Sequence, residues 1–254
     1  MKVTAFVASA RKKHTYNATE RFLQKLQTFG KIEYEIVSLN DYNLQICRGC
    51  KICFEKGEEF CRLKDDRDIL IEKMKNSDGI ILATPNYSFH VSALMKAFLD
   101  RLGYVFHRPE FFGKTFTSIV VQGIYGGDAI VKYLDFVGNG LGFNTIKGCC
   151  ITTLEPMTKK QENANNKLID NLTQKFYKEL IKKRFPNPSL FKLMVFRMSR
   201  TSINRMLDSN FKDYSHFDEK GWFDAEYFYP VKLNPVKKLA GRMFDWLALI
   251  NTKD

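Results

Sequence analysis

The chain has 254 residues, 44% of them apolar, and its 40 lysines and arginines outnumber 28 aspartates and glutamates to give a net charge of +12. This is globular composition, long enough for one α/β domain with an appendage, and it excludes fibrous and low-complexity classes. No apolar run approaches the ~20 residues that cross a bilayer. The opening MKVTAFVASARKK lacks the long apolar region and cleavage site of a secretory leader, so the expected location is the cytoplasm. The charge is uneven, with 19 basic and 11 acidic side chains in residues 158–254. Such a surplus attracts phosphorylated cofactors, acidic lipid or nucleic acid, or is merely a solvated surface.

KVTAFVAS (2–9) is a short apolar run suited to a buried strand. A helix pattern begins near Tyr16, with Phe22, Leu23, Leu26 and Phe29 on one face. YEIVSL (34–39) reads as a second strand. Residues 65–78 read as a helix with Leu70, Ile71 and Met74 inward. GIILATPNY (79–87) carries the strongest strand pattern, and Val91 to Phe106 keep helical spacing. Strand 115–124, helix 126–142 and strand 145–154 follow. Alternation of this kind predicts a doubly wound, five-stranded parallel sheet with helices on both faces. Ligands of such sheets bind beyond the carboxyl ends of the strands. The segments 9–19, 84–92 and 122–128 all lie there.

After residue 157 the pattern changes, which divides the chain into a sheet domain, 1–157, and a helical, aromatic-rich extension, 158–254. A long polar helix is expected over 158–184, with Leu168, Leu172, Phe176 and Leu180 as its stripe. A basic helix follows FPNPS, then the aromatic stretch DYSHFDEKGWFDAEYFYP. The closing helix has Asn234 as N-cap and Pro235 at its first position. Its apolar stripe, Val236, Leu239, Ala240, Met243, Leu247 and Ile250, is expected to dock on its own domain or a partner subunit, ahead of a membrane surface. The aromatics around Trp222 read as a satellite core. Base stacking on nucleic acid is not favoured, because no recognised motif accompanies them.

SARKKHTYNAT joins the first strand to the first helix, whose free N–H groups can hold an anion. Ser9, Thr15 and Asn17 can donate to phosphate oxygens, and Arg11 and Lys12 can neutralise charge. Neither a P-loop nor G-x-G-x-x-G is present, so a monophosphate fits better than a dinucleotide. In ATPNYSFHV, Pro85 and Asn86 end a buried strand in turn chemistry, and Tyr87 and Phe89 can cover a flat aromatic ligand. In VQGIYGGDA the glycines permit close approach to a ring, and Tyr125 can pack on it.

Together with CRGCKICFEKGEEFCRLKDD, these segments resemble the flavodoxin-like, NAD(P)H-dependent FMN reductase superfamily, and within it the iron–sulfur flavoprotein branch, over residues 1–155. The resemblance implies FMN, with its phosphate on Ser9, Arg11, Lys12, Thr15, Tyr16 and Asn17. It implies an isoalloxazine between Pro85, Asn86, Tyr87, Ser88 and Phe89 on one side and Gln122, Gly123, Tyr125, Gly126 and Gly127 on the other. NAD(P)H would be the co-substrate, a quinone, a flavin or a protein the acceptor, and a homodimer or homotetramer the assembly. An electron-transfer or redox-sensing flavoprotein without NAD(P)H turnover is the alternative. No side chain is singled out as catalytic, because the flavin N5 carries the chemistry. This chain has HTYN where such phosphate loops often carry Gly or Ser before a Thr.

Cys47, Cys50 and Cys53 are spaced Cys-x2-Cys-x2-Cys, and Cys61 follows. That pattern suits a [4Fe–4S] cluster, four-thiolate zinc, or no metal. Cys149 and Cys150 read as small buried residues of the last strand. His14 and His90 lie in the presumed ligand loops without metal spacing.

Overall fold

A computed structural model of the chain describes residues 1–252. In chain order it contains β1 (Lys2–Val7), α1 (His14–Gln27), β2 (Glu33–Ser38), a single turn α2 (Ile52–Glu55), α3 (Arg67–Lys75), β3 (Gly79–Tyr87) and β4 (His90–Val91). Next come α4 (Ala93–Arg101), α5 (Gly103–His107), β5 (Thr115–Gln122), α6 (Gly127–Gly140), β6 (Asn144–Thr145) and β7 (Cys149–Thr152). The last helices are α7 (Lys159–Leu180), α8 (Leu190–Met206), α9 (Lys212–Glu219) and α10 (Pro235–Asn251).

The sheet runs β2-β1-β3-β5-β6, all parallel, with β7 also paired to β5 and β4 hairpinned onto β3. This is the flavodoxin-like order, and chain direction across the sheet reverses between β1 and β3. The expected fifth strand is present in two pieces. At Gly148 the chain passes so close to β5 that a Cβ would stand 2.1 Å from Ser118 Oγ, and the Gly148 amide bonds Asp135 Oδ1 at 3.1 Å. The helix expected over 91–106 is likewise two, α4 and α5, broken at Leu102.

The chain divides into two compact units, residues 1–48 with 63–183, and residues 49–62 with 184 onward. That division differs from the one expected at residue 157. Helix α7 stays with the sheet because Ile169, Leu172, Phe176 and Leu180 join the core built by α1 and the central strands. Phe176 meets Phe22 edge-on at 5.5 Å, and a Cβ at Gly79 would stand 2.7 Å from its ring. A capping box at Thr158 and Gln161 starts the helix.

In the second unit the aromatic stretch forms a core of its own. Phe217 and Trp222 meet at 4.9 Å, and Phe196 and Phe228 at 4.6 Å. Trp222 Nε1 donates to the Phe228 carbonyl at 3.0 Å. Burial raises the phenol pKa of Tyr229 to about 12. The turn α2, inside the cysteine segment, packs on α9. Among the described residues, no helix is long and apolar enough to cross a membrane.

Candidate functional site

Four strand ends converge on one cleft of about 160 Å³. Its lining comprises Ser9, Arg11, Lys13, His14 and Thr15 after β1; Pro85, Asn86 and Tyr87 at the end of β3; and Val121, Gln122, Gly123 and Thr153 at the ends of β5 and β7. Buried strand ends hold these loops in place. Ser92 caps α4 by accepting from the Met95 amide at 3.2 Å, and its hydroxyl donates to the Ala8 carbonyl at 2.7 Å. The Ser92 amide donates to Thr84 Oγ1 at 3.1 Å. One side chain thus ties the loop after β1 to the hairpin after β3.

The first helix begins at His14 rather than near Tyr16, which sets the residues that face the cleft. Lys13 and His14 enter the cleft, whereas Lys12 lies 5.8 Å from the Tyr16 ring, and Asn17 is exposed on the helix beyond the first turn. Lys12, Tyr16 and Asn17 are therefore not among the lining residues. Ser9 and Thr15 are buried at the cleft floor, and Ser9 Oγ donates to the Arg11 carbonyl at 2.9 Å. The free amides of a helix's first turn add a partial positive charge. His14 Nε2 stands 2.9 Å from Glu155 Oε1, joining the helix start to the loop after β7.

The second wall is strained. Ser88 and Phe89 both adopt left-handed backbone, at φ 51° and 64°, as the two central residues of the β3–β4 hairpin. Such a turn normally takes Asn-Gly. Non-glycine residues held this way concentrate at functional sites. The turn carries Phe89 to the Tyr125 ring, 5.3 Å away, and over Gly126, where a Cβ would stand 2.9 Å from the Phe89 ring. Gly126 has φ 92°, a conformation that favours glycine. Gly127 lies against Cys150 Sγ with room for no side chain, and its amide donates to Gln122 Oε1 at 2.7 Å. Ser88, Phe89, Tyr125, Gly126 and Gly127 therefore flank the cleft rather than line it. Tyr87, Phe89 and Tyr125 present exposed rings at its mouth.

Asn86 bridges the two walls of the cleft. Its Nδ2 donates to the Tyr125 carbonyl at 2.9 Å, linking the two walls, while its Oδ1 is buried with no hydrogen-bond partner. A buried acceptor left bare costs about 1–3 kcal/mol, so it marks a place for an incoming N–H or O–H. With hydroxyls, cations and helix amides below, bare Asn86 Oδ1 midway and exposed rings above, the residues fit a flavin mononucleotide.

The comparisons agree. The model of the NADPH-dependent FMN reductase family matches residues 1–153. The chain belongs to that family. Within it, the chain groups with the iron–sulfur flavoproteins. It is 30% identical over 233 residues to an iron–sulfur flavoprotein of Archaeoglobus fulgidus, covering 87% of this chain and 100% of the relative. It is 25% identical over 215 residues to an iron–sulfur flavoprotein of Clostridioides difficile, covering 83% and 87%. Among solved structures, RosB with a bound 8-demethyl-8-formylriboflavin-5'-phosphate intermediate superposes with a TM-score of 0.58 at 13% identity, over 92% of each chain. An NAD(P)H:quinone oxidoreductase from Methanothermobacter marburgensis gives 0.54 at 14% identity, over 68% of this chain and 94% of that one. These two likenesses extend to the fold.

The cysteine segment of this FMN reductase family member leaves the sheet unit through a clasped stem. The Asn43 amide donates to Asp66 Oδ2 at 2.7 Å and the Gln45 amide to Asp65 Oδ2 at 2.9 Å. Arg101 holds Asp65 from beneath, 2.8 Å from Oδ1, with both side chains buried. Burial pushes the Asp65 carboxyl upward, but the hydrogen bonds from Arg101, Gln45 and Arg67 together with the Arg101 charge outweigh it, leaving the pKa below the ordinary value. Beyond the stem, Cys47 and Cys50 are exposed, and Cys53 and Cys61 are half-buried. Among the described residues, no three His, Cys, Asp or Glu side chains gather to hold a metal. Cys149 and Cys150 are half-buried thiols raised by burial to about 12 and about 11, which keeps them protonated at neutral pH.

Proposed function

We propose that the cleft holds FMN and that the protein moves electrons from NAD(P)H through it to an acceptor. The observation that carries this reading is the bare, buried Asn86 Oδ1 placed between an anion-binding helix start and a rim of exposed rings. Bound FMN supplies the redox chemistry, taking a hydride from a reduced nicotinamide and releasing electrons onward. The chain's own task is then to bind, orient and shield.

Thr15, the first-turn amides of α1 and, on turning away from the Arg11 carbonyl, the Ser9 hydroxyl would donate to the phosphate, and Arg11 and Lys13 would offset its charge. Asn86 Oδ1 would accept an N–H of the ring edge and fix its orientation. The cleft is smaller than the ~300–1,000 Å³ of an enclosed ligand pocket. Tyr87, Phe89 and Tyr125, exposed at the mouth, would therefore hold the ring.

The test is turnover. Protein loaded with FMN and supplied with NADPH or NADH should oxidise either one in the presence of a quinone or ferricyanide. Protein that binds FMN but leaves both nicotinamides unoxidised would be an electron carrier or redox sensor instead. Two expectations of the family resemblance belong to this proposal. Light scattering tests the homodimer or homotetramer. Iron and sulfide analysis after anaerobic reconstitution tests cluster ligation by Cys47, Cys50, Cys53 and Cys61, which requires the segment to gather its thiols; iron near zero removes the cluster.

A further inference from the structure

Helix α10 packs through Gly241 and Ala248, with charged groups beside them. Arg197 and Arg200 of α8 both pair with Asp245 of α10, and Thr201 Oγ1 donates to the same carboxylate at 3.0 Å. Lys237 Nζ donates to the Pro188 carbonyl at 2.6 Å, and Gly241 lets the Arg197 guanidinium approach to 3.4 Å of a would-be Cβ. These contacts advance together along both helices, which therefore run side by side in the same direction.

The opposite side of α10 is apolar and bare. Val236, Leu239, Met243, Trp246 and Ile250 recur at helical spacing, with Leu239 70% and Trp246 59% exposed. Helix α8 adds exposed Phe191 and Val195. Of the stripe expected from the sequence, Val236, Leu239, Met243 and Ile250 are exposed and Ala240 and Leu247 are half-buried. Contiguous exposed apolar surface of this kind marks an interaction site.

Charge identifies the occupant. The two helices carry seven basic residues and one acid, Asp245, which is already held by Arg197 and Arg200. Lys238, Arg242 and Arg205 border the apolar stripes, and Lys238 has only a loose pairing with Glu226 at 3.7 Å. A second copy on a two-fold axis would set these cations against their own counterparts, with no acid left in either helix to offset them. Anionic headgroups complement them, while Trp246, Phe191 and Leu239 suit the boundary between headgroup and acyl chain. We propose that the α8–α10 face docks on the surface of an anionic lipid bilayer.

The chain has two tryptophans, Trp222 with 5% exposure and Trp246 with 59%, so a shift in tryptophan emission reports on Trp246. The full-length protein is mixed with vesicles of phosphatidylcholine alone or of phosphatidylcholine with phosphatidylglycerol. It should sediment with the anionic vesicles and shift its emission to the blue. Binding should be about tenfold or more weaker on neutral vesicles or at high salt. Leu239→Asp with Met243→Asp should abolish sedimentation while leaving the circular dichroism intact. Should that double variant fail to fold, Lys238→Glu with Arg242→Glu, which changes only rim charges, should still lose selectivity for anionic vesicles. Absence of sedimentation on both vesicle types overturns the proposal; an oligomer dispersed by the double variant would then give the face to a second copy. Sedimentation unchanged in both variants overturns it as well.

Discussion

Helices α7 and α10 are both capped, both amphipathic and both outside the alternating part of the sequence, yet α7 buries its large apolar side chains and α10 buries only Gly241 and Ala248. Helix α7 lays Ile169, Leu172, Phe176 and Leu180 into the core formed with α1 and the sheet. Helix α10 turns Val236, Leu239, Met243 and Trp246 outward and anchors itself through Asp245. The sheet offers α7 a large apolar face to cover, whereas α8 offers α10 two guanidinium groups. Amphipathicity records that a helix has an apolar side. The neighbour decides whether that side is the buried one.

Truncation should separate the two helices most sharply. Phe176→Ala removes a fully buried ring and should cost about 3–5 kcal/mol in chemical denaturation. A loss under 1 kcal/mol would mean that α7 is not truly part of the sheet core. Buried charge gives an effect of the same order. Asp65→Asn breaks the ion pair with Arg101 under the cysteine stem and should cost about 3–5 kcal/mol. Because folding lowers the Asp65 pKa, its contribution is fully present above the ordinary carboxylate value of about 3.9 and is lost as pH falls through the lowered folded value. The acid limb of the stability curve should therefore flatten in this variant, and an unchanged limb would remove Asp65 from the account.

Asp245→Asn should cost less, about 2 kcal/mol, since it weakens charge-assisted hydrogen bonds without creating a cavity. It should also free α10 to roll, which limited proteolysis within 235–251 would detect. The smallest effect belongs to Leu239→Ala, expected within about 0.5 kcal/mol of the parent because the side chain is bare. A cost like that of Phe176→Ala would mean the stripe is covered in solution.

Most of the sheet unit was legible in the sequence because strand periodicity and turn residues are local signals. The segments 9–19, 84–92 and 122–128 were placed by strand ends alone, and each supplies residues to the cleft. Where α1 begins was not legible. Nothing in RKKHTYN distinguishes a start at His14 from one at Tyr16, and the two residues of difference exchange Tyr16 and Asn17 for Lys13 and His14. Thr153 was missed because it follows a strand that is broken by a close contact between Gly148 and Ser118, a long-range feature. The stem that pairs Asn43 and Gln45 with Asp66 and Asp65 is also long-range. So is the side on which α10 packs, because Asp245 meets its arginines across more than forty residues of chain.

The central claim is that the strand-end cleft takes a flavin by its phosphate. Comparing FMN with riboflavin, which has the same ring but no phosphate, tests it most directly through quenching of flavin fluorescence on binding to the apoprotein. FMN should bind about tenfold or more tightly than riboflavin, and Arg11→Ala should narrow the gap without weakening riboflavin. Equal affinity for the two flavins, or a gap that survives the loss of Arg11 and Lys13 together, would contradict the account.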